Sequence, residues 1–290
     1  MLVWLFAAEQ PLEYFVSNTP RKDQRVTTAL LLAAGTGSRL RPLTNNAPKC
    51  LTEINGTTIL ERQVCCLLQH GFKRLVVVVG YLAPCIRKFL DRWSDQLTID
   101  YVESPRYAST NNLYSLWLAR EVIREPFLLI ESDLIFNASL VVKMLQPNKI
   151  AVSRLLPWMR GTTVTINASQ QVSAFCVGAR VASPHSSYKT VNMYSLSLSS
   201  WRRVTERLQE HVSAGAVNEY YETVFANMVS TGSLSLEPVF FDRELWYEVD
   251  TLEDLVAAEL IFPVLAKRKT SSRALPPLPA IVPDPRLGDW

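Results

Sequence analysis

Two stretches of this 290-residue sequence carry residue types suited to phosphate chemistry. The first is AAGTGSRLRPLTNNAPKCL, residues 33–51. An apolar run ends at Gly35, and glycines at 35 and 37 allow a tight turn with close backbone approach. Amides along Ala34, Gly35, Thr36, Gly37 and Ser38 can then point at phosphate oxygens. Arg39 and Lys49 add fixed cations, and a guanidinium can grip two phosphate oxygens at once. On the glycines alone, a plain strand-to-helix turn explains the stretch equally well. The second feature is a pair of acids: Asp133 closes the apolar run FLLIES, and Asp250 closes WYEV. Such strand ends are where α/β sheets put ligands. Mg²⁺ takes one or two carboxylates while phosphates and water complete its octahedron. Singly, each Asp could instead be a cap or turn residue. Glu131, on the same strand face as Asp133 by period-2 alternation, is an alternative ligand.

Strands and helices must alternate to hold these residues together. TTALLLAA (27–34), RLVVVVG (74–80) and PFLLIESD (126–133) read as strands buried on both faces. LTIDYV (97–102) alternates as a strand, while 57–70, 85–93 and 112–123 have helical spacing. This order calls for a parallel α/β sheet. Four short β-type runs between 149 and 197 suggest an antiparallel or mixed extension of the same sheet. Helical patterns return at 199–212, 218–229 and 251–262, where Thr251 can cap the last helix with Glu253 and Asp254 in its first turn.

Composition bounds the class. Hydrophobic residues at 48% and charged residues at 20% exclude global disorder and coiled coil. A net charge of +3 is too small to argue for nucleic acid or an anionic membrane as partner. No window approaches the roughly 20 apolar residues of a membrane helix. The apolar start, MLVWLFAAEQPLEYF, precedes Arg21, Lys22 and Arg25, the wrong order for a secretory signal. Five cysteines without a C-x-x-C suggest buried reduced thiols and a cytoplasmic setting. We therefore expect an N-terminal extension over 1–25, one domain over 26–262, and a basic, Pro-rich, disordered tail over 263–290.

Two familiar phosphate loops fail on detail. A dinucleotide fingerprint needs a small residue where Leu40 stands, and a Walker loop needs the absent Gly-Lys-Ser/Thr. The pattern A-A-G-x-G-x-R-L…P-K, met by Ala33, Ala34, Gly35, Gly37, Arg39, Leu40, Pro48 and Lys49, resembles the nucleotidyltransferase superfamily that activates phosphate esters. That resemblance implies a three-layer α/β/α, Rossmann-like mixed sheet. It also implies Lys49 on the triphosphate and Asp133 and Asp250 as ligands of a Mg²⁺ cofactor.

The segment ESPRYASTNNLYSLWLA (103–119) is similar to the cytidylyltransferase branch, where it lies along base and ribose. Ser109, Thr110, Asn111 and Asn112 are the residues it offers to a pyrimidine edge. YKTVNMYSLS (188–197), NEYYETVF (218–225) and LWYEVDTLEDLVAAE (245–259) resemble 2-aminoethylphosphonate cytidylyltransferases. By that resemblance Lys189 would neutralise the acceptor phosphonate, and Tyr221 and Glu222 would receive its ammonium. Ordinary helix packing for Tyr221 and a solvated strand position for Lys189 stay open beside these roles.

The implied reaction joins CTP and 2-aminoethylphosphonate into CMP-aminoethylphosphonate and pyrophosphate. The acceptor is already anionic, so no Cys or His nucleophile is needed. Phosphocholine or a sugar 1-phosphate are alternative acceptors. A catalytically silent nucleotide-binding module is the reading from another class. The expected partners are CTP and the acceptor, without nucleic acid or membrane insertion, and with a homodimer left open.

Overall fold

Apolar runs flanked by turn residues form the strands. The structure is a computed structural model describing residues 25–157, 159–178, 187–242 and 245–262. The expected N-terminal extension, apart from Arg25, and the Pro-rich tail lie outside the described residues. In chain order, β1 (Thr28–Ala33) leads through the glycine loop to a small hairpin, β2 (Glu53–Ile54) and β3 (Thr57–Thr58). There follow α1 (Ile59–Gln69), β4 (Arg74–Val79), α2 (Ala83–Leu90), β5 (Thr98–Glu103) and α3 (Asn112–Leu118). Next come β6 (Phe127–Glu131), β7 (Leu134–Phe136) and α4 (Ala138–Lys143). The middle holds β8 (Lys149–Arg154), β9 (Thr163–Ile166), β10 (Val172–Cys176) and β11 (Ser187–Leu196). The chain then forms α5 (Leu198–Ser213), α6 (Tyr221–Ser230), β12 (Glu237–Phe240), β13 (Trp246–Glu248) and α7 (Leu252–Ile261).

One nine-stranded sheet organises the molecule. β6, β1, β4 and β5 lie parallel in that order, with Leu31 of β1 opposite both Val77 and Ile130. β11 joins β6 antiparallel and pairs with both β8 and β9; β10 extends β9, and β12 lies parallel to β8. The expected mixed extension is thus part of the same sheet. Alternation sends Ala29, Leu31 and Ala33 into one core, with α1, α2 and α4, and Leu30, Leu32 and Ala34 into the other, with α3, α5 and α6. Two cores on one sheet are the three-layer α/β/α arrangement.

Local signals set several boundaries. The Thr58 hydroxyl accepts from Glu61 N at 3.1 Å and starts α1. α3 is shorter than its pattern, ending at Leu118 in a tight turn over Ala119–Glu121. β7, α4 and β12 have no counterpart in the sequence reading. The other departure concerns WYEV: β13 pairs not with the main sheet but with β7, as a separate antiparallel ribbon. No helix among the described residues is long and apolar enough to cross a membrane.

Gly80 marks the tightest approach in the sheet. A Cβ there would lie 2.8 Å from the carbonyl oxygen of Ala34 and 2.7 Å from Tyr107 Cβ. Gly80→Ala should therefore destabilise the fold by about 1–3 kcal/mol, the usual effect of overpacking. A urea midpoint equal to wild type would contradict this.

Candidate active site

A cleft of about 750 Å³ opens over the carboxyl ends of β1 and β6. That size lies within the roughly 300–1,000 Å³ range of ligand pockets. Ala34, Gly35, Gly37, Ser38, Arg39, Lys49, Asp133 and Asp250 all line it, whereas Thr36 does not. Gly37 is left-handed at φ +62°, and a Cβ there would press on Lys49 Cβ at 3.0 Å and Thr44 Cγ2 at 3.1 Å. Thr44 Oγ1 donates to the Gly37 carbonyl at 2.8 Å and fixes the turn. Gly35 differs: nothing lies within 4 Å of where its Cβ would be, so the fold alone does not require glycine there. Its bare backbone faces the cleft.

The β7–β13 ribbon brings the two aspartates together. β6 ends at Glu131, the chain turns through Ser132 and Asp133, and β7 runs back against β13 with Leu134 opposite Glu248. Val249 N donates to the Asp133 carbonyl at 3.0 Å, which places Asp250 beside Asp133 despite the long sequence separation. Two further devices hold the pair. Gln63, buried on α1, donates to the carbonyls of Glu131 at 2.9 Å and Leu134 at 2.7 Å, clamping the Asp133 turn. At α7, Asp254 accepts from Asp250 N at 3.1 Å and Thr251 N at 2.8 Å, while Thr251 Oγ1 accepts from Asp254 N. Thr251 is the cap the sequence predicts, and the reciprocal bond to Asp254 adds to it. A small core of Leu40, Ile54, Ile59, Ile135, Val249 and Ala258 anchors the ribbon and α7 to the glycine loop.

Between the aspartates sits the Lys49 ammonium, 2.7 Å from Asp133 Oδ2 and 2.5 Å from Asp250 Oδ1. Arg39, largely exposed, donates to the same Asp250 oxygen at 2.8 Å. Burial acts to lower the Lys49 pKa, but the two carboxylates outweigh it and hold it above the usual lysine value. Burial acts to raise the Asp250 pKa, and Lys49 with Arg39 outweighs that in turn, holding it low. Asp133 Oδ1 is buried with no hydrogen-bond partner.

The pyrimidine-side candidates separate. Asn111 lines the cleft; its side-chain oxygen caps α3 through Asn112 N at 2.8 Å. Asn112 also lines it, but its amide is already used: the oxygen accepts from Tyr221 N at 3.1 Å and the nitrogen donates to Glu131 Oε1 at 3.2 Å. Asn112 is therefore a bridge between α3 and α6 rather than an open recognition edge. Ser109 turns away to the Arg106 carbonyl and is not in the cleft wall; Thr110 does line the cleft, though its hydroxyl donates to the same carbonyl at 2.8 Å, and Ser115 lines it as well.

Carboxylates crowd the acceptor end. Glu222 and Glu248 line the cleft beside Lys189, which is 2% exposed and donates to Glu248 Oε1 at 2.9 Å and to the Thr190 carbonyl at 2.6 Å. Lys189 is thus a buried counter-ion, and the solvated strand position is corrected. Glu222, 4% exposed, keeps Oε2 without a hydrogen-bond partner. Tyr221 does not reach the cleft: its ring is sealed against Tyr194 and Phe225 in the core. Tyr220, one residue earlier and half-exposed, lines the cleft in its place. Burial, reinforced by Asp133 and Glu222, holds the Glu131 carboxyl well above the usual range, and its Oε1 accepts from Asn112 Nδ2 at 3.2 Å.

Burial also pushes the Glu222 carboxyl up to about 7. A carboxyl raised in the folded state keeps its proton while the unfolded one ionises. Its contribution to stability is then complete below pH 4.5 and lost as pH rises toward 7. Relative to Glu222→Gln, the wild type should lose about 3 kcal/mol of unfolding free energy across that window and then level off. A wild-type-minus-variant difference that stays flat from pH 4 to 8 in denaturant titrations would contradict it.

Comparisons with known proteins bear on the family and the fold. The family model described as a MobA-like NTP transferase domain matches residues 29–262. CMP-5'-(3-aminopropyl)phosphonate synthase of Streptomyces rubellomurinus is 30% identical over 241 residues, covering 81% of this chain but 38% of its own. The chain thus spans little more than a third of that relative. 2-Aminoethylphosphonate cytidylyltransferase of Lancefieldella rimae is 25% identical over 234 residues, covering 80% of this chain and 91% of its own. Among solved structures, the CTP:phosphocholine cytidylyltransferase from Streptococcus pneumoniae superposes with a TM-score of 0.69 at 20% identity, covering 82% of this chain and 99% of the other. That last likeness carries the fold alone.

Proposed function

Because the chain belongs to the MobA-like NTP transferase family, we propose that it transfers CMP from CTP to 2-aminoethylphosphonate and releases pyrophosphate. The observation that carries this reading is the Lys49 ammonium held between Asp133 and Asp250 on the floor of the cleft. The phosphonate-specific part is supported by the names of two relatives and by the carboxylates of Glu222 and Glu248 at the acceptor end.

The triphosphate lies along the Gly35–Ser38 turn, whose amides and open backbone suit phosphate oxygens. The base extends toward Asn111 and Ser115. A phosphonate oxygen attacks the α-phosphorus. The new P–O bond forms as the α–β bridging bond breaks, and pyrophosphate leaves with the electron pair. The acceptor needs no deprotonation at neutral pH, so catalysis is positioning and charge neutralisation. Lys49 and Arg39 hold the departing pyrophosphate, which draws Lys49 off the aspartates.

Those aspartates fit Mg²⁺. They bring carboxylate oxygens to one point, and the buried Asp133 Oδ1 has no partner. Among the described residues no group of three or more His, Cys, Asp or Glu gathers as a closed metal cage, so the remaining ligands would come from phosphates and water. Bound by Asp133 and Asp250, Mg²⁺ would offset charge on the reacting phosphates.

The test is pyrophosphate release with CTP, UTP, ATP or GTP and Mg²⁺, against 2-aminoethylphosphonate, phosphocholine and glucose 1-phosphate. Turnover should require CTP and be fastest with 2-aminoethylphosphonate. No release with CTP and either nitrogen-bearing acceptor would overturn the reading.

A further inference from the structure

Asn192 is the residue of the cleft whose backbone conformation needs explaining. It lies within β11 yet has φ +52°, a left-handed conformation that interrupts a strand. The register of β11 against β8 shifts across it: Thr190 pairs with Val152 and Tyr194 with Ile150, so two extra residues bulge from β11. Bulges re-aim side chains, and this one turns the Asn192 amide into the cleft. Its Nδ2 donates to Glu248 Oε1 at 2.7 Å, and its Oδ1 lies 3.1 Å from the Thr190 hydroxyl. The carboxylate oxygen accepts, so the nitrogen must face Glu248 and the amide has one orientation.

Glu248 Oε1 thereby receives two donors, Asn192 and Lys189. Lys189 gives another hydrogen bond to the Thr190 carbonyl, while the buried Oε2 of Glu222 has no partner. Lys189 is paired with Glu248 and acts on Glu222 only through its charge, while Asn192 adds the second donor that keeps Glu248 in place. Glu222 lines the cleft, and its buried, unpartnered Oε2 lacks a hydrogen-bond donor that a ligand N–H could supply.

We propose that Asn192 is a positioning residue for the acceptor: it fixes Glu248 against Lys189 and so leaves Glu222, at the cleft wall, without a protein partner and able to receive a primary ammonium. The preference is for a donor-bearing ammonium over a quaternary or uncharged group. This rests on the acceptor class proposed above, and deepens it by naming what sets the recognition.

The experiment is calorimetric binding of 2-aminoethylphosphonate, its N-trimethyl analogue and ethylphosphonate to wild-type and Asn192→Gly proteins. Glycine accepts φ +52° without strain, so the variant removes the amide while keeping the bend. Wild type should bind the primary amine at least about tenfold more tightly than either analogue, as expected for a charge-assisted hydrogen bond. Asn192→Gly should erase most of that ratio while its thermal midpoint is at or above wild type. Asn192→Asp, which tolerates the same backbone but faces Glu248 with an acceptor, should erase it too. A ratio unchanged in both variants would overturn the proposal, as would a wild type that binds all three equally. These affinities need no turnover. Failure of nucleotidyl transfer in the pyrophosphate assay is therefore read separately from failure of the Asn192 role.

Discussion

Asp133→Asn should lower kcat with CTP and 2-aminoethylphosphonate by about 10³-fold, the scale on which removing one charge-stabilising group acts in transfer reactions. The substitution keeps the shape and removes the charge. It leaves intact the scaffold that sets the turn, because Val249 N bonds the backbone carbonyl of Asp133 and Gln63 grips the carbonyls of Glu131 and Leu134. Lys49 keeps Asp250 as a partner. Unfolding free energy should therefore change by no more than about 1 kcal/mol, as for a part-exposed ion pair. A deficit that persists at saturating concentrations of both substrates belongs to the transition state rather than to ground-state binding. Near-normal kcat would remove Asp133 from the chemistry.

Lys49→Met is expected to reduce kcat/KM for CTP by about 10²–10³-fold. Methionine retains much of the hydrocarbon stem that packs over Gly37, where Lys49 Cβ would be 3.0 Å from an added methyl. What disappears is the ammonium. In the nucleotide-free protein that ammonium occupies the space between Asp133 and Asp250, and so competes with any cation the aspartates could hold. The variant should accordingly gain more thermal stability from added Mg²⁺ than the wild type does, both measured without nucleotide. An equal Mg²⁺ shift in the two proteins would show that lysine and metal do not compete there.

Much of this site was legible before any coordinates. The apolar runs of β1, β4 and β6 are buried on both faces because helices cover both sides, so continuous hydrophobicity carried the parallel core. Gly37, Arg39, Lys49, Asp133 and Asp250 converge because each stands at the carboxyl end of a strand or in the loop after one. What sequence could not supply was the partner of each short segment. WYE and LIF are both three-residue strands, and only tertiary pairing makes them the ribbon that joins the two aspartates. Tyr220 and Tyr221 illustrate a different limit. Tyr220 is the extended cap residue just before α6 and Tyr221 is its first helical residue, so an error of one residue exchanges the cleft for the core. Ser109 and Asn112 matched the expected segment by type, yet the Arg106 carbonyl takes the Ser109 hydroxyl, and Tyr221 N and the Glu131 carboxyl take the Asn112 amide. Gln63 left a trace that could have been used: a polar residue on the apolar face of α1, among Leu60, Val64 and Leu67. Asn192 left none, since a left-handed residue inside a bulge has no sequence pattern beyond the mild preference of asparagine for that region.

Cytidylyl transfer to a phosphonate at this cleft is tested most directly by ³¹P NMR of one reaction. Purified protein, CTP, 2-aminoethylphosphonate and Mg²⁺ should give pyrophosphate and a new phosphonate–phosphate anhydride in equal amounts. Omitting the acceptor, or substituting Asp133→Asn, should leave CTP essentially unchanged over the same interval. Pyrophosphate without the anhydride, or a CTP spectrum unaltered by wild-type protein with its acceptor, would contradict the account.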